Sequence, residues 1–150
     1  MLSVEDVRRA RTILKHLVPI ELADIILHFA RYYPTISRCA VPRSVSDADV
    51  PIITVELENE QAEGVIEVSL EIHGHDQGWS SYPRDHGTTS NSWTWYSLGT
   101  EDPESHEERL AVNLHAQSET QVHERFWNKN SKVVQNLRRD RVISIWAHAR

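Results

Sequence analysis

The apolar positions of this chain change period partway along it, and the change divides the sequence into two parts. Between Ser3 and Leu17, the residues Val4, Val7, Ile13, Leu14 and Leu17 recur at helical spacing, with Arg8, Arg9 and Arg11 among the polar positions. Ser3, with Asp6 three residues on, suits an N-cap followed by an acidic first turn. Pro19 ends that helix and suits the first turn of the next. The second helix carries a stripe of Leu22, Ile25, Ile26, Phe29 and Ala30 and stops before Pro34. A helical hairpin over 1–33 is predicted, and its second stripe is apolar enough to need cover from the rest of the chain or from a second chain.

Pro34, Pro42 and Pro51, with the serines and aspartates among them, break any regular pattern across 34–51, which reads as a connector. Beyond it the period becomes two. Ile53, Val55 and Leu57 alternate with polar residues, and Ile66, Val68, Leu70 and Ile72 alternate with Glu67, Ser69, Glu71 and His73. The same alternation returns at Leu110, Val112, Leu114 and Ala116, and at Ile143, Ile145, Ala147 and Ala149. Half-buried strands separated by irregular stretches predict a β-sandwich or barrel over 52–150, so the fold class is α+β with an antiparallel sheet domain. Leu137-Arg138-Arg139-Asp140-Arg141 reads as a basic turn leading into the last strand, and the acidic segment from Gly99 to Glu108 as a solvated loop.

Between the strands lies a long polar loop, residues 75–92, with glycines at 74, 78 and 87 around an aromatic pair. Long loops on a β scaffold are the usual carriers of binding residues. Five tryptophans are many for 150 residues, and their placement matters because each ring must be buried or offered to a partner. Trp93 and Trp95 share one face of a predicted strand, which predicts core packing for both, whereas Trp79 sits between Gly78 and Ser80 in a loop and is expected to cover the end of the barrel or meet a ligand. Asp76, Gln77, Trp79, Tyr82, Arg84 and His86 are the expected ligand-binding residues, the rings supplying area and the polar groups orientation.

The remaining chemistry is thinner. His73, His75, Asp76 and His86 are the residue types that hold a first-row metal, but the chain has neither an HExxH motif nor a pair of cysteine ligands, so no cofactor is expected. GxSxG, GxxxxGK[ST] and GxGxxG are absent, and the proximity that a catalytic triad needs is not visible in a sequence. A formal charge of -6 argues against non-specific nucleic-acid or anionic-membrane binding. Cys39 is the single cysteine, so no intramolecular disulfide forms. With no signal-peptide pattern and no apolar run of membrane-spanning length, a cytoplasmic or nuclear location is expected.

Two resemblances extend this reading. Val18-Pro19-Ile20-Glu21-Leu22, with Ile25, Ile26 and Leu27, resembles the opening of an F-box over residues 17–33; the second half of that motif is missing, with prolines in its place. The resemblance implies a substrate adaptor of a ubiquitin ligase with a reduced F-box. His75-Asp76-Gln77-Gly78-Trp79-Ser80, then Gly87-Thr88, Ser92-Trp93-Thr94-Trp95 and the final Arg141–Arg150 stretch, is similar to a family of largely uncharacterised fungal proteins. That likeness implies a galactose-binding-like jelly-roll sandwich and supplies no ligand. The leading expectation is a non-catalytic recognition module for a protein, peptide or glycan. Self-association through the N-terminal helices is a further expectation, and a metal-dependent hydrolase is the third alternative.

Overall fold

The computed structural model describes residues 2–99 and 108–150, so the acidic stretch Glu101, Asp102, Glu104 and Glu107 lies outside the described residues. The chain divides into two compact units, Met1–Arg38 and Cys39–Arg150.

In the first unit, α1 spans Val4–Lys15 and α2 spans Ile20–Phe29. The Ser3 hydroxyl accepts the Asp6 backbone N–H at 3.1 Å, and the Ser3 backbone N–H donates to the Asp6 carboxylate at 3.0 Å, a reciprocal cap that satisfies two of the helix's free donors. Arg11 clamps Asp24 through both guanidinium arms, at 2.6 and 2.8 Å, tying α1 to α2. Being exposed, this pair contributes little to stability and mainly fixes the angle between the helices. The residues of α2 that become buried are Ala23 and Leu27, one turn apart, while Leu22, Ile25, Ile26 and Phe29 stay 43–82% exposed in the single chain. The covered face is therefore offset from the predicted stripe.

The second unit contains, among the described residues, two antiparallel sheets. Its elements are β1 (Ala48–Glu56), α3 (Asn59–Gly64), β2 (Glu67–Gly74), β3 (Thr94–Gly99), β4 (Glu108–Val112), β5 (Gln121–Asn128), α4 (Lys132–Asp140) and β6 (Val142–Ala149). One sheet runs in the order β1-β6-β3-β4, the other pairs β2 with β5. Strand β1 begins at Ala48, inside the stretch read as connector. Pro51 is tolerated there because β1 is an edge strand and its register shifts between Pro51 and Ile53.

Both sheets contribute to one core, in which Ile72 of β2, Leu110 of β4 and Ile145 of β6 meet Leu70, Tyr96, Leu98 and Trp127. Gly74 lets the sheets close at one end, since a Cβ there would collide with the Tyr96 hydroxyl. The predicted basic turn at Leu137–Arg141 is instead the end of α4, which Ser131 caps by accepting the Val134 N–H at 3.2 Å. Val133, Val134 and Leu137 bury one face of this helix, and Arg141 closes it in the left-handed conformation at φ 61°. The alternation read through Ala116 stops at Val112, because Asn113 to Ala116 leave the strand. No helix among the described residues is long and apolar enough to cross a membrane.

Candidate functional site

The loop after β2 is held by three side chains that water barely reaches. Asp76 is 2% exposed, Asn113 1% and His115 1%. Asp76 accepts the Ala116 backbone N–H at 2.8 Å and the Thr94 hydroxyl at 3.4 Å, and its own N–H donates to the Gln117 carbonyl at 3.0 Å. Ala116 needs this support, since it holds a positive φ of 56°. Asn113 donates through its amide to Thr94 Oγ1 at 3.1 Å and to the His75 carbonyl at 3.3 Å. Further along, the His115 N–H donates to the Thr88 carbonyl and the Gly87 N–H to the His115 carbonyl, at 2.7 and 2.9 Å. The loop is thus laced to residues 113–117 at both its ends.

What this frame presents to water is aromatic. Trp79 is 70% exposed, Tyr82 54% and Trp93 46%. Trp93 lies one residue before β3, outside the ladder, so the core role expected of it does not hold. Trp95 does enter the strand, but its partners are polar: it stacks on His148 at 4.8 Å and 5°, with the Arg109 guanidinium 4.6 Å from its ring centre. Gln77, Arg84 and His86 are exposed beside the loop rings, Gln77 donating to the Trp79 carbonyl at 2.9 Å. Asp76, grouped with them by sequence, instead turns inward and acts on the loop's shape.

The histidines expected to share a metal go separate ways. His73 pairs with Glu71, the His75 ring bonds the Asp76 carbonyl at 2.8 Å, and His86 Nε2 lies 3.3 Å from the Ser80 carbonyl. Among the described residues no three His, Cys, Asp or Glu side chains are grouped to hold a metal ion.

The structure brings together two constellations that sequence reasoning missed. Ser80 Oγ lies 2.6 Å from His115 Nε2, and His115 Nδ1 lies 3.9 Å from the Asp76 carboxylate. On the β1-β6-β3-β4 sheet, Ser97 Oγ lies 2.7 Å from His148 Nε2, and His148 Nδ1 is 2.6 Å from Asp49 Oδ1. Arg150 donates to the other Asp49 oxygen at 2.6 Å. This guanidinium, and after it the His148 ring, hold the Asp49 carboxyl at about 2 against the opposing effect of burial. The two sets differ in access. Ser97 is 2% exposed and lies within a strand, whereas Ser80 is only half-buried and neighbours the exposed Trp79. The first set has no signal in the sequence: Asn113 and His115 fall at the polar positions of an ordinary apolar alternation.

Two surface depressions lie over the strands, and the second reaches the loop at Thr89. One of about 450 Å³ is lined by Ser69, Leu70, Glu71 and Phe126, and one of about 640 Å³ by Arg109, Leu110, Leu114 and Gln121 among others. Neither is lined by Trp79, Ser80 or Tyr82. Comparison of the chain with protein-family models, with curated proteins and with solved structures finds no match in any of the three.

Proposed function

We propose that the second unit is a recognition module that docks a protein or peptide partner on the loop of residues 77–93. The observation that carries this reading is the exposure of Trp79, Tyr82 and Trp93 on a backbone fixed at Asp76, Gly87 and His115. Tryptophan, tyrosine and arginine are the residues that dominate protein interfaces, and Arg84 stands exposed beside the two loop rings. A loop already ordered by buried hydrogen bonds loses little further entropy on binding, so more of the contact free energy appears as affinity. Gln77, Arg84 and His86 supply the polar contacts that set orientation.

In this reading the two antiparallel sheets form a β-sandwich of the jelly-roll, galactose-binding-like kind, with the binding loop at one end. The shared core of Ile72, Leu110 and Ile145 supports that arrangement. A cytoplasmic or nuclear setting suits the exposed, unpaired thiol of Cys39. The test is a pull-down with the wild type and a Trp79→Ala, Tyr82→Ala double variant of matching melting temperature, with a glycan array in parallel. Proteins retained by the wild type and lost by the variant support the proposal; ligands found only on the array would replace it with a glycan-binding role.

A second reading, a ubiquitin-ligase substrate adaptor with a reduced F-box, has one observation in its favour. The α2 face of Leu22, Ile25, Ile26 and Phe29 is exposed in the single chain. The same face would serve self-association. Co-purification of a Skp1-like protein that is lost on Ile26→Asp separates the adaptor from a homodimer, which the variant would convert to monomer.

A further inference from the structure

We infer that Ser80 is an activated nucleophile, with His115 as its general base and Asp76 behind the imidazole, able to take an acyl group from a small activated ester. The inference goes beyond partner recognition and does not depend on anything docking at Trp79.

The geometry is that of a serine whose proton has a destination. His115 Nε2 is 2.6 Å from Ser80 Oγ, a distance at which a neutral ring with its hydrogen on Nδ1 accepts the serine hydroxyl. His115 Nδ1 is a buried atom with no hydrogen-bond partner, and the Asp76 Oδ2 oxygen is 3.9 Å away. A buried N–H left unpaired is costly, and the charge of an imidazolium would draw the carboxylate and ring together. The Tyr82 backbone N–H donates to Ser80 Oγ at 3.1 Å, which fixes the oxygen's rotamer and favours negative charge on it. Ser97 has the closer set, with His148 Nδ1 at 2.6 Å from Asp49, but it is sealed at 2% exposure, whereas Ser80 is half-buried and so is the serine of the two that a substrate can approach.

In the step itself, the Ser80 Oγ–carbon bond forms as the carbon–oxygen bond to the leaving group breaks. The Ser80 proton passes to His115 Nε2 and from there to the leaving alkoxide. Water then attacks the acyl-serine, gives a proton to His115, and that proton returns to Ser80 as the carboxylic acid departs. Water is the one co-reactant, and no change of oxidation state is involved.

An alkyl fluorophosphonate tests this on the full chain: its phosphorus bonds to Ser80 Oγ, fluoride leaves, and His115 takes the proton. Adducts are mapped by tandem mass spectrometry, with the exposed neighbour Ser81 as internal control. The expected result is modification at Ser80 and not at Ser81, slowed about 100-fold or more by His115→Gln. Absence of an adduct on Ser80, equal labelling of Ser80 and Ser81, or an unchanged rate in folded His115→Gln would overturn the assignment. Should His115→Gln fail to fold, the Ser80 to Ser81 ratio in the wild type decides alone.

Discussion

The Asp76 carboxylate reaches across forty residues of chain to accept the backbone N–H of Ala116 at 2.8 Å. This one bond joins the start of the aromatic loop to a residue held at positive φ, inside a site closed to water. Asp76→Ala leaves the Ala116 donor buried and unpaired, which costs about 1–3 kcal/mol. Urea denaturation should show the loss as a lower midpoint. A variant as stable as the wild type would mean that the loop is not held in this way.

Stability should fall on acidification in two steps. The Asp49 carboxyl is held at about 2 in the folded protein against an ordinary 3.8, so its contribution is full above the ordinary value and is lost as pH falls through about 2. His123 is pushed below its ordinary 6.5, first by burial and then by the Arg125 charge. An unfolded chain therefore takes up that proton before the folded one, and stability declines as pH drops below 6.5 toward the lowered value. Denaturation curves at pH 7.5 and 5.5 should show a decline that His123→Gln reduces, while Arg150→Ala reduces the loss at the acid end. A flat profile through both ranges would contradict these couplings.

Gly74→Ala should be as harmful as a core substitution although it adds a single methyl group. The new Cβ meets the Tyr96 hydroxyl, and Tyr96 is itself packed against the core of Ile72, Leu110 and Ile145. Overpacking of this kind costs about 1–3 kcal/mol. Calorimetry should record a lowered melting temperature that Tyr96→Phe, which removes the nearest atom, partly restores. Equal stability of Gly74→Ala and the wild type would show that Tyr96 has room to move.

Period carried the parts of this fold that were legible in advance. Val68, Leu70 and Ile72 alternate with Glu67, Ser69 and Glu71 and form β2, and Ser3 with Asp6 marked the start of α1. Strand β5 was not visible because its partly buried face holds Gln121 and His123 as well as Trp127, while Val122 and Phe126 point out at 54% exposure, so the apolar code is inverted. Helix α4 is short, and its buried Val133, Val134 and Leu137 span little more than one turn. For the site, loop composition located the exposed rings of Trp79 and Tyr82. It could not show that Asp76 turns inward or that Ser80 meets His115, because those are contacts across the fold.

The recognition role is tested most directly by photo-crosslinking from two positions of equal exposure. Tyr82 on the loop and Phe126 on β5 are each 54% exposed, so they differ in place and not in accessibility. Benzoylphenylalanine introduced at position 82, or separately at position 126, is irradiated in cells and the adducts are resolved by mass. If the loop is the docking surface, position 82 yields a discrete protein adduct that Trp79→Ala abolishes, and position 126 yields none of that mass. Adducts of the same mass and yield from both positions, or none from position 82, would contradict a recognition role for this loop.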